Sequence, residues 1–143
     1  MPVQIGICDD SEEDLLLLAK ALYSYDSSFQ VSLYTDGESL LEDCLEKKRL
    51  FDILFLDIYM PELNGIDTAR KIRTEMKDAR IIFVSSSNEH YPEAYDVFAF
   101  NYILKPLNLE RLNRVLDQVL SSIATDRQQQ ISFNYKAKNY RIN

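Results

Sequence analysis

The stretch LFLDIYMPELNG, residues 54–65, decides the fold. Ile53 to Leu56 are apolar at every position, so this segment offers no polar face to water. That is the pattern of a central strand in a parallel sheet covered on both sides. The run stops at Asp57, and a Met60-Pro61 turn and Gly65 follow at once. A carboxylate at the rim of a low-dielectric core is costly unless it has a partner. Taken alone, Asp57 reads as a turn residue; the remaining chain gives it more to do.

Before this stretch, VQIGIC (3–8) alternates Val3, Ile5 and Ile7 and reads as a strand that ends in Asp9-Asp10. Ser11 and Asp14 form a capping-box start for a helix carrying Leu15, Leu18 and Leu22. FQVSLY (29–34) is a second strand, and Thr35 with Glu38 predicts a second capping box before a stripe of Leu40, Leu41, Cys44 and Leu45. After it, a third helix starts near Asn64 and shows Ile66, Ala69, Ile72 and Met76; RIIFV (80–84) is strand four. Pro92 suits the first turn of a fourth helix ending near Phe98. NYIL (101–104) is strand five, closed by Lys105-Pro106, and Asn108 caps a last helix carrying Leu112, Leu116, Val119 and Ile123. Five alternations of strand and helix predict an α/β, doubly wound, five-stranded parallel sheet.

The end of the chain has a different character. Residues 124–130, including TDRQQQ, read as a linker. ISFNYKAKNYRIN (131–143) alternates Ile131, Phe133 and Tyr135 and predicts a C-terminal β-hairpin tail, the start of a second, truncated domain.

Composition limits the function classes. At 143 residues, with 46% hydrophobic and 27% charged residues, the chain is one globular domain with a fragment of another. Cys8, Cys44 and the single His90 are too few for a disulfide framework or a zinc site without carboxylates. No apolar run approaches the ~18 residues of a membrane span. The net charge is −7, but residues 127–143 hold four basic residues and no acid; the remaining 12 basic residues against 23 acids leave residues 1–126 at −11. So acidic a body is a poor nucleic-acid binder.

In a parallel sheet, ligands bind beyond the carboxyl ends of the strands. Strand one ends in Asp9 and Asp10, strand three in Asp57, strand four in Ser85 and strand five in Lys105. Three carboxylates, a hydroxyl and an ammonium therefore converge on one crevice. Clustered carboxylates repel one another unless a cation or raised pKa values relieve them, and an all-oxygen donor set favours Mg²⁺. A carboxylate so placed can accept a phosphoryl group as an acyl phosphate, with Lys105 stabilising its charge.

The motifs CDD (8–10), LDIYMPELNG (56–65), FVS (83–85) and YILKP (102–106) resemble, in order, those of the receiver domain of bacterial two-component response regulators, over residues 2–123. The resemblance implies a flavodoxin-like sheet of order 2-1-3-4-5 with five helices, and a cytoplasmic protein. It implies Asp57 as phosphoacceptor, and Mg²⁺ held by Asp10, Asp57 and the carbonyl of Tyr59, with Asp9 mainly through water. Lys105 is then the phosphate-pairing lysine, followed by a cis bond to Pro106. Ser85 and Tyr102 form the switch, the Tyr102 ring moving inward as Ser85 is drawn to the phosphoryl group. The implied partners are a sensor histidine kinase and a second copy docked through helix four, strand five and helix five. DNA enters only through a LytTR-type DNA-binding domain that residues 131–143 would begin. The alternatives are a non-phosphorylated adaptor of the same fold and a Mg²⁺-dependent aspartyl-phosphate phosphatase. The phosphatase would need an Asp-x-Asp pair, where this chain has adjacent acids followed by Ser11.

Overall fold

The computed structural model describes residues 1–140, with side chains to Asn134. Five strands, β1 (Gln4–Cys8), β2 (Gln30–Tyr34), β3 (Ile53–Leu56), β4 (Arg80–Ser85) and β5 (Asn101–Leu104), form one parallel sheet in the order β2-β1-β3-β4-β5. Between and after them lie α1 (Glu12–Tyr25), α2 (Gly37–Leu41), α3 (Gly65–Arg73), α4 (Tyr91–Asp96) and α5 (Leu109–Tyr140). A π-helical turn, Glu42–Glu46, continues α2.

The central strand explains why its sequence is apolar throughout. Leu54 and Leu56 pack with Ile66, Ala69 and Ile72 of α3 on one face of the sheet. Ile53 and Phe55 pack with Leu15, Leu18 and Leu22 of α1 and Leu112, Leu116 and Val119 of α5 on the other. All four strand residues are buried, and each such Leu, Ile or Phe contributes about 1.5–3 kcal/mol.

Two helix starts differ in detail from the capping-box expectation. At α1, the Ser11 hydroxyl accepts from the Asp14 amide at 3.2 Å, but the Asp14 carboxylate does not return to Ser11. Ser11 N–H donates instead to Asp9 Oδ1 at 2.9 Å, because Asp9 is nearer in the chain and already faces it. At α2 the cap is Asp36, which accepts from the Ser39 amide, in place of Thr35. A carboxylate is the stronger acceptor for an orphan N–H at a helix start. Asn64 and Asn108 cap α3 and α5 as expected, while α4 stops at Asp96, before Phe98.

The C-terminal segment is a correction. Residues 124–140 are neither linker nor hairpin but the continuation of α5, a helix of 32 residues; residues 141–143 of the expected hairpin lie outside the described residues. No Gly or Pro follows Pro106 to stop the helix. Extending an existing helix adds one hydrogen bond per residue ordered and needs no new nucleus. The extension is held to the sheet's amino edge by Arg80, which pairs with Asp126 and donates to Ser122 Oγ at 3.0 Å, and by Arg127 beside Asp52. Beyond that, Ile131 and Phe133 are exposed. Among the described residues, no helix is long and apolar enough to cross a membrane.

Candidate functional site

Asp9, Asp57 and Lys105 each sit one position past the pairing of their strands, Ser85 and Tyr102 lie within it, and Asp10 and Tyr59 follow in the loops beyond. Cys8 lies opposite Leu56, so the next residues, Asp9 and Asp57, stand level at the carboxyl edge. Each is fastened by the last carbonyl of a neighbouring strand. Asp57 N–H donates to Cys8 O at 2.9 Å, and Asp9 N–H to Tyr34 O at 3.1 Å. Leu104 lies opposite Ser85, and Lys105 N–H donates to Ser85 O at 2.8 Å. Backbone register alone therefore brings together side chains up to 96 positions apart in sequence.

One carboxylate oxygen from each of Asp9, Asp10 and Asp57 lies within 4.8 Å of the others. Asp9 and Asp57 are buried and Asp10 is exposed. The Asp57 carboxyl is pushed up to about 6, first by burial and then by the Asp9 charge; Lys105 and the Tyr59 backbone N–H pull the other way. A divalent cation among the three carboxylates would relieve the like-charge part of this shift.

The two neighbouring acids are not equivalent. Asp9 is already committed, with Oδ1 accepting from Ser11 N–H and Oδ2 from the Lys105 ammonium at 2.9 Å. Asp10 accepts no hydrogen bond among the described residues, and it shares an open groove with Tyr59, Met60 and Asn64. The donor set is hard oxygen throughout and fits Mg²⁺, with Asp10 free to bind directly and Asp9 less so.

Lys105 is the hub. Its Nζ lies 2.8 Å from Asp14 Oδ2, 2.9 Å from Asp9 Oδ2 and 3.7 Å from Asp57 Oδ2. Burial would lower its pKa, but the hydrogen bonds to Asp14 and Asp9 and the Asp57 charge outweigh it, and the net direction is upward. The following bond to Pro106 is cis, as expected. Asp14 reads from sequence only as a helix-capping acid, and its role beside Lys105 is one that sequence reasoning misses. The signal that could have found it is a carboxylate one helical turn from Asp10, facing the open strand end.

Gly65 is required by a close approach. A Cβ there would stand 2.1 Å from the Asp57 carbonyl oxygen, and Gly65 N–H donates to Ile58 O at 2.9 Å, closing the β3–α3 loop over the site. Cys8 is inert: burial first, then the nearby acids, push its thiol up to about 12, and its Sγ rests 3.5 Å from Met60 Sδ.

Ser85 is buried at the end of β4, and its Oγ accepts from Ser87 N–H at 3.3 Å. Tyr102 already lies inward. Its ring is tilted against Phe83 at 6.1 Å and meets Tyr91 edge-on at 4.5 Å, and its hydroxyl donates to Ser87 O at 2.5 Å. The Tyr59 ring is half exposed and meets His90 edge-on.

Comparison with known proteins follows the same outline. The family model of the response regulator receiver domain matches residues 5–117. The sensory transduction protein LytT of Oceanobacillus iheyensis is 37% identical over 76 residues, covering 52% of this chain and 31% of that protein. The transcriptional regulatory protein RprY of Bacteroides fragilis is 28% identical over 123 residues, covering 85% of this chain and 50% of that one. Among solved structures, chemotaxis protein CheY4 of Vibrio cholerae superposes with a TM-score of 0.74 at 25% identity, covering 83% of this chain and 99% of that one. The chain thus spans between about a third and half of the length of these two curated relatives.

Proposed function

The chain belongs to the response regulator receiver domain family, and from that premise we propose that Asp57 accepts a phosphoryl group from a histidine kinase. A carboxylate oxygen of Asp57 attacks phosphorus and forms the acyl phosphate. The P–N bond breaks, its electron pair returns to the imidazole, and the ring leaves after taking up one proton from water. Mg²⁺ held by Asp10, Asp57 and the Tyr59 carbonyl, with Asp9 through water, would offset the charge on the phosphoryl oxygens. Lys105 supplies the second positive group, and burial of Asp57 limits access of bulk water to the product.

The observation that carries this reading is the buried Asp57 carboxylate grouped with Asp9 and Asp10 and bordered by the Lys105 ammonium. That grouping also disfavours the adaptor alternative, since no member of the constellation is missing. The adjacency of Asp9 and Asp10 likewise disfavours the phosphatase.

The Ser85 hydroxyl, buried beside the site, donates a charge-assisted hydrogen bond to a phosphoryl oxygen. Tyr102 reports that change to the face of α4, β5 and α5, where Tyr95, Phe98, Leu104 and Leu109 are exposed. A second copy docks on this face, and through it the phosphorylated protein controls transcription by an attached DNA-binding domain, in the cytoplasm. The similarity to LytT and to RprY, a transcriptional regulatory protein, supports this part of the reading.

Intact-mass measurement after incubation with a small phosphodonor tests the reaction. One phosphoryl adduct is expected with Mg²⁺ and none with EDTA, and an undiminished adduct in Asp57→Asn overturns the assignment.

A further inference from the structure

Three carboxylates compete for one ammonium. Lys105 Nζ is within hydrogen-bond distance of Asp14 at 2.8 Å and of Asp9 at 2.9 Å, but its 3.7 Å approach to Asp57 is not a hydrogen bond. Asp14 is free to pair with it because only its backbone N–H takes part in capping α1, and its carboxylate turns towards the end of β5. Asp9, Asp14, Asp57 and Lys105 line one small cavity of about 90 Å³, walled by Leu17, Leu18 and Leu107. The ammonium therefore sits in a confined, mostly apolar space, where an exchange of one carboxylate partner for another would weigh more than it would in water.

We propose that Asp14 is a positioning residue that draws Lys105 to the α1 side of the site and opposes its pairing with the phosphoryl group on Asp57. The inference rests on the phosphoacceptor reading above. A phosphoryl group on Asp57 presents oxygens that the ammonium reaches by leaving Asp14 or lengthening its hydrogen bond to it. Asp14 is the partner it gives up, since its side chain is 37% exposed against 7% for Asp9, and water replaces the lost hydrogen bond. Asp14 thus favours the unphosphorylated arrangement, and its charge sets how much of the Lys105 interaction is left for the phosphoryl group.

The test compares Mg²⁺-dependent beryllofluoride binding, followed by tyrosine fluorescence, in the wild type and in Asp14→Asn, Asp14→Glu, Glu13→Gln and Asp57→Asn. Asp14→Asn keeps the side chain's size and the backbone capping bond, and it is expected to bind beryllofluoride about three- to tenfold more tightly. Asp14→Glu restores the charge and is expected to return to near the wild-type value. Glu13→Gln removes a neighbouring charge that makes no ion pair with Lys105, and it separates a general charge effect from this ion pair. The ¹⁵N resonance of the Lys105 ammonium is expected to shift in Asp14→Asn and to keep its wild-type position in Glu13→Gln. Equal or weaker beryllofluoride binding by Asp14→Asn, or an equal gain in Glu13→Gln, overturns the role of Asp14 while leaving Asp57 as phosphoacceptor. No binding by the wild type, or undiminished binding by Asp57→Asn, overturns the phosphoacceptor reading and this inference with it.

Discussion

Replacing Asp57 by Asn is expected to stabilise the fold while abolishing its chemistry. A carboxyl whose ordinary value is 3.8 but which titrates at about 6 in the folded chain holds its proton more tightly when folded. Folding stability therefore falls as pH rises from about 4 to about 6, where the unfolded chain has lost this proton and the folded chain is losing it, and it stays low above that. The size of the loss is about 3 kcal/mol, the free energy equivalent of the displacement. Asn keeps an acceptor for the Tyr59 backbone N–H and has no charge to place beside Asp9 and Asp10, so it escapes the loss. In EDTA at pH 7.5 the urea midpoint of Asp57→Asn is therefore expected to lie roughly 1–3 M above that of the wild type. Near pH 4 the two midpoints converge, because wild-type Asp57 is protonated in the folded state. With saturating Mg²⁺ at pH 7.5 the gap narrows, because the cation relieves the same repulsion. A variant equal to or less stable than the wild type at pH 7.5 in EDTA would refute the claim that burial and like charge dominate at this position.

Gly65→Ala forces a methyl group to within 2.1 Å of the Asp57 carbonyl unless the β3–α3 loop gives way. It is expected to cost more than about 2 kcal/mol in urea unfolding and to weaken beryllofluoride binding with it. Arg73→Ala removes a half-buried guanidinium that donates to the carbonyls of Met76, Ala79, Val97 and Phe98, tying the end of α3 to the end of α4. A loss of about 3 kcal/mol is expected, with faster amide exchange at Phe98 and Ala99. Ser85→Ala removes one long hydrogen bond and is expected to cost no more than about 1 kcal/mol. It should leave Asp57 phosphorylation intact while sedimentation shows no gain in dimer with beryllofluoride; dimerisation at wild-type strength would take Ser85 out of the switch.

The sheet and most of the site were legible in the residues themselves. In a parallel sheet a strand apolar on both faces has nowhere to go but the centre, so Ile53 to Leu56 named their own place. The first polar residue after each apolar run then falls at the carboxyl edge, which located Asp9, Asp57 and Lys105 without knowledge of a single distance. Other features turned on competition between options of similar local energy, and tertiary structure decided those. Thr35 and Asp36 could each cap α2, and the carboxylate won. Residues 124–130 read as a linker and Ile131, Phe133 and Tyr135 alternate as a strand would, yet residues 124–140 extend α5, anchored by Arg80 and Arg127. Asp14 looks from sequence like a capping acid, and only the fold, which brings the Lys105 ammonium to 2.8 Å from its carboxylate, gives it that partner. Tyr102 was expected to begin outside, yet its ring already rests on Phe83 with its hydroxyl on Ser87 O, where burial and a hydrogen bond are satisfied together. Position along a strand is set by local pattern and so is written in the sequence. The choice among several nearby partners depends on distances that exist only once the helices have packed.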